Sequence, residues 1–127
     1  SVTRGATTKD DFKAALFLAS ATINASTTAY STSGEVTGTG YTAGGIAVTN
    51  ANVPASSGTT AYWTPSASLV YTGVTLSTAF DAVLIYNSTQ SDKAVAVYTF
   101  GSQTVTAGTF TLTMPVSDSS TALLRIA

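Results

Sequence analysis

Residues 80–100 read FDAVLIYNSTQSDKAVAVYTF, and this stretch decides the fold class. Phe80–Tyr86 and Lys93–Phe100 are runs of β-branched and aromatic residues, the types that suit a pleated, packed surface. Between them lies Asn87-Ser88-Thr89-Gln90-Ser91-Asp92. Such side chains hydrogen-bond their own backbone and tolerate left-handed φ, so the two runs predict a hairpin. Toward the C-terminus, Thr109–Met114 alternates, with Phe110, Leu112 and Met114 on one face and Thr109, Thr111 and Thr113 on the other. That period of two predicts a half-buried antiparallel strand, entered through a turn at Ala107-Gly108. Thr121–Ile126 (TALLRI) predicts a last strand.

Toward the N-terminus, Ser68–Val74 predicts a strand. Thr60–Thr64, holding Tyr62 and Trp63 ahead of Pro65, predicts one that is short or at an edge. Asn50–Thr59 with Pro54 is expected to be a loop, and Ile46–Thr49 a short strand. Residues 19–45 consist largely of Ala, Ser, Thr and Gly, with Tyr30, Glu35 and Tyr41 as the only large landmarks. Gly38, Gly40, Gly44 and Gly45 permit positive φ and a sharp reversal. In Phe12–Leu18 both faces are mostly apolar, which predicts a central strand. Lys, Ala and Leu also favour helix, and the β-rich remainder decides for the strand. Residues 1–10 (SVTRGATTKD) lack periodicity and read as a polar arm. Eight or nine short strands, with turn signals at intervals of about 8–12 residues, predict an all-β chain. The expected architecture is a single antiparallel β-sandwich, jelly-roll or Ig-like, over residues 11–127, preceded by the short polar N-terminal arm 1–10. No fixed-period repeat points to a solenoid or propeller.

Composition says how such a domain meets its surroundings. The 127 residues fall within the size of one domain. Only 9% are charged, against about a quarter in ordinary soluble domains. Ser and Thr take their place and make up about a third of the chain. A surface of hydroxyls and small apolar groups is easily desolvated, because no buried ion needs a partner. It suits a subunit packed against other subunits. The net charge is −1, and the five cations are Arg4, Lys9, Lys13, Lys93 and Arg125. Phosphate binding needs clustered cations, so neither nucleic acid nor an anionic membrane is an expected partner. No apolar run approaches the roughly 18 residues of a membrane span. A chain starting at Ser1 fits removal of an initiator Met, so synthesis in the cytoplasm without export is expected.

The chemistry of catalysis is hard to assemble here. With no His and no Cys, neither Ser-His-Asp and Cys-His arrangements nor imidazole or thiolate zinc sites can be built. The carboxylates are Asp10, Asp11, Glu35, Asp81, Asp92 and Asp118. A glycosidase needs two of them across a cleft. Adjacent Asp10 and Asp11 point to opposite faces of a strand, and the others fall at predicted turns or strand edges. The segment Gly38–Gly44 lacks the spacing and the Lys of a phosphate loop and reads as a structural turn. Asn24-Ala25-Ser26 and Asn87-Ser88-Thr89 match glycosylation sequons, as chance allows in so hydroxyl-rich a chain. Thr109, Thr111 and Thr113 form a row able to suit ice or carbohydrate, although one strand does not make a flat array. Tyr62, Trp63, Tyr86 and Tyr98 are candidates for stacking sugars, and burial with the hydroxyl reaching out is their commoner use. No catalytic, cofactor-binding or metal-binding residue is assigned, no cofactor is expected, and the chain is not expected to be an enzyme.

Residues 12–45, FKAALFLASATINASTTAYSTSGEVTGTGYTAGG, resemble a stretch found in structural proteins of tailed bacteriophages. The likeness continues in AFDAVLIYNST at 79–89, KAVAVYTFGSQTVTAGTFTLTMP at 93–115 and the terminal ALLRI, and EVTGTGYTAGG is its most specific string. Family members commonly open with an amphipathic helix, where this chain has only its polar arm. The resemblance implies a virion component built on a small β-sandwich and brings no catalytic residues with it. The expected role is that of a capsid decoration, or cement, protein: a homo-oligomer bound to the major capsid protein of a virion assembled in the bacterial cytoplasm. The alternatives are a tail adaptor, tail-tip or fibre-associated subunit, and a carbohydrate-binding module that uses Tyr62 and Trp63 or the Thr109 row.

Overall fold

The computed structural model describes residues 10–48, 55–64, 67–114 and 120–126. Among these, every regular element is a strand: β1 (Phe12–Leu18), β2 (Ile46–Ala47), β3 (Ala55–Ser57), β4 (Thr60–Trp63), β5 (Leu69–Asn87), β6 (Lys93–Leu112) and β7 (Leu124–Ile126). They form two antiparallel sheets, of order β2-β1-β5-β6 and β3-β4-β7. The chain is all-β, as its periodicity predicts.

The hairpin at residues 80–100 is present, with Asn87 opposite Lys93 and with Ser91 and Asp92 at positive φ in the connection. It is far longer than expected. The predicted strands Ser68–Val74 and Phe80–Tyr86 are two parts of the 19-residue β5. Lys93–Phe100 and Thr109–Met114 likewise merge, up to Leu112, into the 20-residue β6. The turn expected at Ala107-Gly108 is a bulge within a continuous strand. Ala107 has φ 43° and its N–H donates to Thr75 Oγ1 at 3.1 Å, while the pairing slips between Val74↔Gly108 and Leu76↔Val105. Further slips separate Leu76, Phe80 and Ala82.

Bulges bend a strand, and the ring contacts reveal by how much. Phe80 lies opposite Gln103, whereas Phe110 is seven residues further along β6, about 23 Å away on a flat strand. Their ring centroids are nonetheless 4.9 Å apart, edge to face. Tyr71, near the start of β5, donates its hydroxyl proton to the carbonyl of Ala14 at 2.7 Å, and Ala14 pairs with Ile85 near the end of β5. The long hairpin therefore folds back on itself. Its distal half (69–76 with 105–112) covers its proximal half (80–87 with 93–100) and β1. One apolar cluster fills the space between them and includes Leu16, Leu69, Val74, Leu76, Phe80 and Ile85. Trp63 of the small sheet joins that cluster, its ring 5.9 Å from that of Phe12. Tyr98 Oη donates to the Leu123 carbonyl at 2.6 Å, and Leu123 N–H donates to Thr64 Oγ1 at 2.9 Å, which ties the C-terminal segment to β6 and to the end of β4.

The opposite face of β1 and β5 is buried as well. Ala15, Phe17, Ala82, Leu84 and Tyr86 form a second cluster, covered by Ala21, Ile23 and Tyr30 from the segment after β1. β1 is thus a central strand with two apolar faces, as its sequence predicts, and not a helix. The expected loop Asn50–Thr59 is corrected in part. Residues 55–57, placed in the loop Asn50–Thr59, pair with β4, and residues 50–54 lie outside the described part. β4 is short, as expected, and it lies between β3 and β7. Seven strands are present among the described residues, fewer than the eight or nine expected, because merging reduces the number.

Candidate functional site

The three landmarks of the featureless stretch, Tyr30, Glu35 and Tyr41, meet in one place. Glu35 is 6% exposed. Its Oε1 accepts from Tyr30 Oη at 2.6 Å, and its Oε2 accepts from Tyr41 Oη at 2.7 Å and from the Gly44 N–H at 2.8 Å. A buried carboxylate is tolerated when donors of this kind replace its water. The network extends further. Leu16 N–H donates to Tyr41 Oη at 3.0 Å, and Tyr86 Oη donates to the Gly44 carbonyl at 2.6 Å. Tyr86 also stacks on Tyr30, with centroids 4.6 Å apart. Burial, reinforced by the Glu35 acceptor, raises the pKa of Tyr30 and Tyr41. Burial likewise raises Tyr71, Tyr98 and Tyr86, the last to about 12. These hydroxyls stay protonated donors at any ordinary pH.

The glycines explain how residues 35–45 reach both halves of the bent hairpin. Gly40 has φ 80°, and a Cβ there would run into the carbonyl of Gly73 in the distal half. Gly45 has φ 81°, and a Cβ there would run into the carbonyl of Ala14 in β1. Thr75 N–H donates to Thr39 O at 2.9 Å. The loop is a staple, and Glu35 holds its two ends together. This network is structural: each carboxylate oxygen is engaged by the chain's own donors.

The other candidate residues are dispersed. Asp10, grouped with the arm in the sequence, is 7% exposed and accepts from Asn87 Nδ2 at 3.0 Å and from Gln90 Nε2 at 3.1 Å. Asp11 is exposed, Asp81 and Asp92 are half-buried, and Asp118 lies outside the described residues. Trp63 is buried against Phe12, which removes it as a sugar platform, and Tyr62 is half-buried beside it on β4. Tyr86 and Tyr98 spend their hydroxyls on backbone carbonyls. Asn87 is 3% exposed, so that sequon is closed. Asn24 is exposed, and its Oδ1 accepts from Ser26 N–H at 2.8 Å in a local turn. Thr109, Thr111 and Thr113 are exposed, opposite half-buried Phe110, Leu112 and Met114, as the alternation predicts. Among the described residues no group of three or more acidic side chains could hold a metal ion.

What the residue patterns did not single out is the outer edge of β6. In the sheet order, β6 has β5 on one side and no strand on the other among the described residues. A cleft of about 560 Å³ runs beside it, lined by residues 95–99 and by Ile23, Asn24 and Ala25. Val95 and Tyr98 pack toward the large cluster and Val97 toward the second, so a cleft that touches residues of both faces lies along the strand's edge. Sequence alone shows only that Lys93–Phe100 is a strand, not which side of it is open. In comparison with known proteins, no family model matches the chain, and neither a curated protein nor a solved structure is found to be similar.

Proposed function

We propose that this chain is a structural protein of a tailed-bacteriophage particle, a decoration (cement) protein that binds and stabilises the shell of major capsid protein. The observation that carries the reading is the exposed surface of β6. Thr99, Ser102, Gln103, Thr104, Thr106, Thr109 and Thr111 are all exposed, and the strand carries no charge after Lys93. Such a surface can be covered by neighbouring subunits without desolvating ions. The resemblance of residues 12–45, 79–89, 93–115 and 122–126 to virion proteins supports the same reading, and the repetition of a shell would multiply weak contacts by avidity. We read the folded-back hairpin with the small sheet as a single β-sandwich of jelly-roll or Ig-like type. We further expect a homo-oligomer, located in the virion, that acts by binding and not by catalysis.

Adding the purified chain to phage particles that lack it, followed by sedimentation and quantitative gel staining, tests the assignment. Saturable binding at hundreds of copies per particle supports the shell. Saturation at the few copies of a closed ring would move the protein to the tail. No co-sedimentation at all would end the virion reading.

A further inference from the structure

The sheet edge at β6 is already extended once by the chain itself. Ala94 N–H donates to Thr28 O at 2.9 Å, Tyr30 N–H donates to Asp92 O at 2.9 Å, and Ala29 bridges Lys93 in antiparallel fashion. Residues 28–30 thus act as a short added strand. To continue it, the chain would have to run back through residues 27–24 beside residues 95–99. It does not. Thr27 N–H donates to Asn24 O at 3.0 Å and Asn24 N–H to Thr27 Oγ1 at 3.1 Å, a turn that lifts the chain away from the edge. The cleft between Ile23–Ala25 and β6 is the space this turn leaves. Along most of its floor the pairing of β6 with β5 is regular, from Ala96↔Ile85 to Thr99↔Ala82, whereas the register slips at Val95, between Ile85 and Tyr86, and again beyond Thr99. Residues 96–99 thus keep an unbroken ladder to β5 where the cleft opens.

We infer that this cleft receives an extended, uncharged segment of another protein subunit, which adds to β6 as an antiparallel strand in line with residues 28–30. An edge strand turns every second N–H and C=O pair away from its partner, and these groups supply the affinity in strand addition. The walls supply the selectivity. Neither Ile23–Ala25 nor residues 95–99 include a charged residue. A charged guest side chain would lose its water there with no counter-ion in return. Small apolar and hydroxyl side chains fit without that penalty. The inference does not depend on whether the partner belongs to a shell or a tail.

The test is a titration of the isotope-labelled full chain with the peptide acetyl-Thr-Val-Thr-Ala-Thr-amide, followed through backbone amide resonances. Saturable shifts confined to residues 23–25 and 95–99 are expected. They should vanish when alternate peptide amides are N-methylated, which removes the pairing edge, and when the central Thr is replaced by Lys. The variant Ala25→Lys places a charge in the wall at an exposed position, and it should lose the peptide while keeping its melting temperature. Equal binding of the N-methylated peptide overturns the inference, as does a response centred elsewhere or no saturable shift at millimolar peptide. Self-association that shifts the same amides without peptide assigns the cleft to a second copy and also overturns it.

Discussion

The two long sides of the four-stranded sheet are treated in opposite ways. On the β1 side, β2 contributes only two residues, yet the backbone is capped along its length. Val48 N–H donates to Phe12 O at 2.9 Å, Tyr71 Oη to Ala14 O, Leu16 N–H to Tyr41 Oη, Val36 N–H to Leu16 O at 3.0 Å, and Leu18 N–H to Gly34 O at 2.9 Å. On the β6 side the chain caps the edge at residues 92–94 and then turns away. Natural proteins commonly blunt an open edge with Lys, Pro or inward charges. From Ala94 to Leu112 this strand carries none of these and relies on bulges and hydroxyls. Among the described residues, one side is covered along its length by the chain itself and the other only at residues 92–94.

The sharpest way to break this contrast is from the closed side. Phe17 is fully buried between Ala21, Tyr30 and the β5 face. Phe17→Ala should destabilise the chain by about 3–5 kcal/mol in urea unfolding, while Phe100→Ala on half-buried β6 should lose clearly less. Next in size is Glu35→Ala, which strands two tyrosine hydroxyls and the Gly44 N–H. A loss of about 2–4 kcal/mol is expected. Amide exchange should speed up at Leu16 and Val36, on the side the staple protects, ahead of β6 residues. Unchanged exchange at Leu16 would show that the staple does not hold β1.

A third test uses pH. Because burial raises the pKa of Tyr30, Tyr41, Tyr71, Tyr86 and Tyr98 above the ordinary 10.0, the unfolded chain releases these protons first as pH rises. Their contribution to stability is complete below pH 10 and declines above it, through about 12 for Tyr86 and higher for Tyr30 and Tyr41. Circular dichroism and tyrosinate absorbance should therefore report alkaline unfolding together, and Tyr41→Phe should make the decline shallower. The smallest effect belongs to the open side. Thr104→Lys and Thr111→Lys, both at exposed positions of β6, should change stability by no more than about 0.5 kcal/mol. They should nonetheless weaken binding to particles, because the added ammonium must be desolvated when the strand is covered.

Much of the fold could be read from residue patterns because burial acts locally. The two-sided apolar run of β1, the hairpin around Asn87–Asp92 and the Thr/Phe alternation at 109–112 all follow from a period of two or from turn chemistry. The merging of four predicted strands into two could not be read in this way. Residues 75–79 and 101–108 separate the predicted strands, and only pairing with a partner strand distinguishes a bulge from a turn. β3, three exposed residues of Ala and Ser, carries no apolar signal at all and exists through its ladder to β4. The cleft escaped for a related reason: no residue type marks a strand's unpaired side.

By itself, the sequence determined that this chain is β-structured, poor in charge and unable to build imidazole or thiolate chemistry. These are properties of residue type and spacing, which no partner alters. Tertiary structure alone decided that the long hairpin doubles over on itself and that Glu35 locks the EVTGTGYTAGG loop across both halves. It also decided that, among the described residues, β1 has strands on both sides and β6 on one. Each of those outcomes depends on which distant backbone groups find one another, and a hydrogen bond between residues far apart in the chain leaves no local trace.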